Sequence, residues 1–136
     1  MADRSQFERA VARDLRSRDV RRLEKAALMI GPELEPQEQV MKVAAGTWFS
    51  GNGCLLVATS RRILASDGER LEVMAYNRML AVDYTESWRK GRITIRVHGT
   101  SADFRDIPLD TARELKQIID TARRSSSTPG VTTPPR

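Results

Sequence analysis

The chain has 136 residues, 40% hydrophobic and 30% charged, with a formal net charge of +5. That length suits one ordinary domain with extensions and is short for two, and the balance of apolar and charged residues is that of a folded globular protein rather than a disordered one. No apolar run approaches the ~18 residues a spanning helix needs, and the opening Met-Ala-Asp-Arg-Ser-Gln leads into charged sequence rather than an apolar signal region.

One cysteine, Cys54, sits inside an apolar run, which excludes an intrachain disulfide and makes a buried core residue the simplest reading of it. A cytoplasmic location is the expectation, with a peripheral position at the inner face of the membrane as its alternative. The positive charge is unevenly placed. Residues 1–30 carry +3, residues 31–120 carry −1, and residues 121–136 carry +3. A near-neutral middle does not support a whole-domain basic face, so nucleic acid is not an expected partner.

In chain order, Phe7, Val11 and Leu15 recur every four residues, and Val20, Leu23, Ala27 and Ile30 form a second apolar stripe. The two stripes are out of register, so a break is expected near residues 17–19. Gly31-Pro32 ends this helical extension, assigned to residues 1–30. Residues 38–49 read as a strand. The stretch 51–68 reads as a glycine-bounded hairpin, with strands at 54–59 and 62–65. Its run Leu55-Leu-Val-Ala58 has no polar member, so both faces of that strand should be covered.

Leu71, Val73 and Ala75 alternate with Glu72, Met74 and Tyr76, as a half-buried strand requires. A further strand is expected over 78–86, then a turn at Arg89-Lys90-Gly91. Ile93, Ile95 and Val97 alternate cleanly with polar neighbours, and a last strand falls at about 102–107. Thr111-Ala-Arg-Glu114 fits a capping box, and Leu115, Ile118, Ile119 and Ala122 make one helical face. Residues 125–136, rich in Ser, Thr and Pro, read as a disordered tail.

Seven short strands followed by one helix predict a mainly β domain over residues 31–124: an antiparallel barrel plugged by its C-terminal helix and preceded by a helical extension. Three stretches also resemble the bacterial, YokE-like branch of the pleckstrin-homology superfamily: Ile30-Gly-Pro-Glu-Leu-Glu35, Gly53-Cys-Leu-Leu-Val-Ala-Thr-Ser-Arg-Arg-Ile-Leu64 and Glu72-Val-Met-Ala-Tyr-Asn-Arg-Met79. The chain departs from that pattern at Ala75, where proline is expected. The resemblance implies a seven-stranded pleckstrin-homology-like fold, with little else to transfer.

No catalytic or metal-binding constellation stands out. One histidine, His98, and one cysteine far from it give no metal-ligand spacing, no Gly-x-Ser-x-Gly occurs, and no cofactor is expected. Three features qualify as binding candidates. Trp88, Arg89, Lys90 and Arg92 put an aromatic and three cations at a hairpin tip, suited to a phosphate or an anionic lipid headgroup; the plain alternative is a solvated turn with Trp88 packed on the rim. Arg61 and Arg62 form a second basic turn, whose plain alternative is again solvation.

The third is the first helix, where Phe7, Val11 and Leu15 could contact a second copy or a partner, unless the helix folds back on its own domain. The expectation is a non-enzymatic binding or assembly module acting through a protein partner or self-association. Peripheral contact with an anionic membrane is the alternative, and an enzyme with an unrecognised site is a remoter one.

Overall fold

All seven strands are present: β1 (Val40–Trp48), β2 (Gly53–Thr59), β3 (Arg62–Ser66), β4 (Leu71–Ala75), β5 (Met79–Ser87), β6 (Lys90–Val97) and β7 (Thr100–Pro108). Helices α1 (Arg4–Asp14), α2 (Ser17–Arg22) and α3 (Glu24–Ile30) precede them, and α4 (Leu109–Thr132) follows. The computed structural model describes residues 4–132, with side chains for 6–125. The strands form one antiparallel sheet in the order β4-β3-β2-β1-β7-β6-β5, and the seven strands followed by one helix are the element order expected.

The sheet is not closed, which corrects the expected barrel. β4 and β5 are its two free edges, joined by a 3-10 turn at Tyr76–Arg78 rather than by a ladder. β1 and β7 meet at two residue pairs, Thr47 with Arg105 and Trp48 with Phe104. So short a seam leaves the two halves of the sheet free to fold over a shared core instead of continuing round a cylinder. That core takes Leu56, Ala58, Ile63 and Met74 from one half and Ile93, Ile95, Phe104 and Ile107 from the other.

β2 carries the packing. Its inward residues Leu56 and Ala58 belong to this core, while Leu55 and Val57 face a second cluster on the opposite side. The pairing keeps the faces in step: Val57 lies between Val43 and Leu64, and Leu56 between Ala44 and Ala65. The second cluster is completed by Phe7, Ala10 and Val11 of α1, Leu23, and Ala26 and Ile30 of α3. The N-terminal helices therefore dock on their own sheet. Polar ties seat them: the Val40 N–H donates to Gln6 Oε1, and the Val43 N–H donates to Asp14 Oδ2 at 2.9 Å. The expected break falls slightly early, at residues 15–16, and Leu23 adds a second interruption.

α4 covers the open side of the inner core with Ala112, Leu115 and Ile119, which are 0%, 2% and 1% exposed. Gly91 of β6 permits this approach, since a Cβ there would overlap the Cβ of Ala112. The capping box is not formed. The helix starts at Leu109, two residues before Thr111, and the Glu114 carboxylate instead accepts from Lys42 Nζ of β1 at 2.9 Å. The α4 backbone also runs on to Thr132, past the point where a tail was expected, and Ser125-Ser-Ser-Thr128 holds no residue that breaks a helix before Pro129. The expectation for residues 133–136 lies outside the described residues.

Replacing Leu115 or Ile119 by alanine is expected to cost about 2–5 kcal/mol in a urea titration. A loss below about 0.5 kcal/mol for both would mean that α4 does not seal the core. Ending the chain at residue 124 removes no member of either cluster, so the melting temperature should hold. A fall of about 4 °C or more, the mark of roughly 1 kcal/mol, would give the last residues a structural role.

Candidate functional site

The β5–β6 hairpin turns on two residues, Trp88 and Arg89, because Ser87 pairs with Lys90. The turn thus sits one residue earlier than the spacing suggested. Arg89 adopts φ 65° to close it, and its guanidinium stacks over the Trp88 ring at 4.6 Å. Trp88 is 82% exposed, so it does not pack on the rim. Isolated exposed apolar residues are ordinary; the setting of this one is what makes it a candidate.

Beside that turn lies an open cleft of about 500 Å³. Arg89 and Lys90 line it from one side, and Arg16, Arg18 and Arg22 line it from the α1–α2 corner and α2. Two carboxylates, Asp19 and Asp106, share the lining, which leaves three positive charges in excess. Arg22 Nη2 donates to Asp19 at 3.1 Å, and the Arg22 guanidinium lies across Gly53, where any Cβ would displace it. Among the described residues, no ion pair engages the side chains of Arg16, Arg18 or Lys90.

The floor of the cleft is shaped by a bulge. Gly91 pairs with Ile107 and Ile93 with Phe104, so β7 spends one more residue than β6 across that interval. The extra residue is accommodated at Arg105-Asp106, where Asp106 takes φ 58°. Arg89 and Asp106 are the two non-glycine residues with positive φ among the described residues, and both line the cleft. Asp tolerates the left-handed region through its short polar side chain, whereas Arg does so only because a two-residue turn requires it.

The other sequence candidates are differently occupied. Arg92 leaves the tip and grips Asp103 with two bonds of 2.7 and 2.9 Å. Arg62 donates to Glu38 at 2.8 and 2.9 Å and to the Glu33 carbonyl at 2.6 Å, which ties β3 to the segment before β1. Arg61 reaches Glu35 at 2.7 Å, but both partners are half-exposed, so this pair holds loosely. Phe7 and Val11 are 5% and 9% exposed within the second cluster, and Leu15 is half-buried beside it. His98 is exposed in the turn before β7.

Two carboxylates anchor this frame. Burial pushes the Glu38 pKa up, but hydrogen bonds from Arg62, Thr59 and the Glu35 N–H outweigh it and hold the group below its ordinary value. Burial likewise raises Asp14, and Arg13, the Val43 N–H and Lys42 together reverse the shift. Burial pushes the Cys54 thiol up to about 12, so this cysteine is protonated and inert at neutral pH. Among the described residues, no group of three His, Cys, Asp or Glu is placed to hold a metal, and no helix is long and apolar enough to cross a membrane.

The sequence reading missed Arg16, Arg18 and Arg22 as site residues. Their only local signal was that they lie off the apolar stripes of the first thirty residues, as exposed charges generally do.

No family model matches the chain, and no curated protein does either. Among solved structures, the crystal structure of a DUF1696 family protein with a pleckstrin-homology domain from Shewanella loihica PV-4 is similar to it. The two share 14% identity over 74% of this chain and 96% of that one, with a TM-score of 0.46.

Because the folded pKa values of Asp14 and Glu38 are depressed, their contribution to stability is complete above the unfolded values of 3.8 and 4.5 and is lost as the pH falls through the lower folded values. Unfolding free energy measured against pH should therefore drop below about pH 4.5. Glu38→Ala, which leaves Arg62 without its carboxylate, should cost about 3 kcal/mol at pH 7 and flatten that acid limb. An acid limb identical to the parent's would remove Glu38 from this role.

Proposed function

We propose that this chain is a non-enzymatic, pleckstrin-homology-like binding module that associates reversibly with an anionic membrane surface through the cleft beside Trp88. One observation carries the reading: cations from two segments distant in sequence, residues 16–22 and 89–90, line a single cleft next to a tryptophan that is 82% exposed. Membership of the YokE-like branch is part of the proposal and rests on the sequence stretches described above.

The magnitudes fit a weak, reversible contact. A cation near an anionic leaflet is worth about 1 kcal/mol, so the excess of three contributes roughly 3 kcal/mol. That falls short of the roughly 4 kcal/mol that corresponds to a millimolar dissociation constant. Charge can collect the protein at a surface without holding it there, and stable attachment needs a second, apolar term. Trp88 supplies part of that term, since its indole suits the boundary between water and acyl chains.

Self-association is the second reading, favoured by a different observation. β4 and β5 are free sheet edges, and each bears an outward apolar residue, Val73 at 42% and Leu80 at 62% exposure. Phe7 and Val11, by contrast, already spend their apolar surface on the same chain.

The test is flotation with vesicles of phosphatidylcholine alone and of phosphatidylcholine with phosphatidylserine. Binding is expected only to the second, and should disappear near 1 M salt, where the screening length is about 3 Å. Replacing Arg16, Arg18 and Lys90 together by alanine should weaken it roughly a hundredfold, at about fivefold per charge. Arg61→Ala should leave it unchanged. Equal flotation with neutral vesicles would overturn the anionic reading, and no flotation together with dimers in sedimentation velocity would replace it with the second.

A further inference from the structure

The helix that lines the cationic cleft also lines an apolar groove on its other side. Val20 of α2 faces a groove of about 530 Å³, bounded by Phe7 and Val11 of α1, by Leu15 just after that helix and by Ala27, and floored by Leu55. Arg18, Asp19 and Arg22 of the same helix face the cleft. At the corner between α1 and α2, successive residues alternate: Leu15 lines the groove, Arg16 the cleft, Ser17 the groove. Consecutive Cα atoms are about 3.8 Å apart, so the two concavities approach each other within the width of one residue.

This arrangement differs from the usual packing of a terminal helix. Phe7 and Val11 are buried by the sheet, yet the wall toward α2 is unfilled, and Leu15, Val20 and Ala27 stay half-exposed around it. The charges on the groove's rim are mixed and do not attract an anion: Glu8 and Glu24 with Arg21. Glu8 lies about two turns of α1, or roughly 10 Å, from Leu15. An anionic headgroup is therefore repelled along the groove and attracted at its α1–α2 end, where Arg16 and Arg18 stand.

We infer that the groove and the cleft together bind one anionic single-chain lipid, with its acyl chain in the groove and its headgroup on Arg16 and Arg18 at the α1–α2 corner. This rests on the reading of the cleft as an anion site and supplies the remainder of the apolar term, to which Trp88 contributes only part. The same chemistry arises from a free monomeric lipid or from one chain of a bilayer lipid turned out toward the protein. Below the micelle concentration only the first source is present.

The experiment is calorimetric titration of the full chain, below the micelle concentration, with three probes. They are a monoacylglycerol phosphate, glycerol 3-phosphate, which has the head without the chain, and a monoacylglycerol, which has the chain without the charge. The first should bind at 1:1 and at least about a hundredfold tighter than the second, since each methylene taken from water is worth roughly fourfold. A series of chain lengths on the unaltered protein should show that gain until the groove is full, independently of any substitution. Arg16→Ala with Arg18→Ala should bring the charged probe down to the affinity of the uncharged one. Ala27→Leu, which narrows the groove, should weaken the long-chain probe and leave glycerol 3-phosphate unaffected.

Affinity independent of chain length, or a monoacylglycerol that binds as tightly as its phosphate, would overturn the inference. Flotation on anionic vesicles would survive either result. Loss of flotation on anionic vesicles would instead remove the reading on which the inference rests.

Discussion

The structure depends on burying β2 from both sides. A strand with polar residues on one face can lie at the surface of a sheet, but Leu55, Leu56, Val57 and Ala58 offer no such face. Their inner half is met by the sheet folding over and by α4; their outer half requires a separate layer, which α1 and α3 provide. Each large aliphatic side chain taken from water is worth about 1.5–3 kcal/mol. Leaving Leu55, Val57 and Leu64 uncovered would thus forfeit an amount comparable to the whole stability of an ordinary domain. The N-terminal helices are part of the fold for that reason.

The division of the charges follows from this docking. Asp14 and Glu38, carboxylates with nearly dry side chains, are bound to Arg13, Lys42 and Arg62 and join the helical layer and the lead-in segment to the strands. Asp103 and Glu86 take Arg92 and Arg113. Among the cations these pairs leave over, Arg16, Arg18, Arg89 and Lys90 are brought together with Arg22 where α2 faces the end of β1 and the start of β6. A modest net charge becomes a local excess because the fold gathers five basic side chains and two acidic ones around one cleft, rather than because the chain as a whole is basic.

The open seam between β1 and β7 contributes to the same region. With two residue pairs across it, the sheet has no ladder to spare there, and the bulge at Arg105-Asp106 and the tight turn at Trp88-Arg89 both fall beside it. Two left-handed residues in one neighbourhood mark where the backbone departs from regular strand geometry, and departures of that kind make room for a concave surface.

The elements themselves were legible in the sequence, because strands and helices declare themselves over a few residues. Alternation at 93–97 placed β6, the stripe Leu115, Ile119 placed the buried face of α4, and the wholly apolar Leu55–Ala58 required cover on both faces before any partner for it was known. Other readings failed where a partner distant in sequence took the residue. Thr111 and Glu114 have the spacing of a capping box, yet Lys42, 72 positions away, takes the glutamate. What the tertiary structure alone decided was which charges are spent and which remain. Arg62 looked available because its partner Glu38 is 24 positions back, and Arg16, Arg18 and Arg22 looked like solvated rim because their counterparts, Arg89 and Lys90, lie some seventy positions on. Summing charge by segment gave a neutral middle and hid the cleft. A periodic pattern reflects the geometry of one element, whereas the sign of a surface depends on pairings across the whole fold, and those exist only once β2 has been covered.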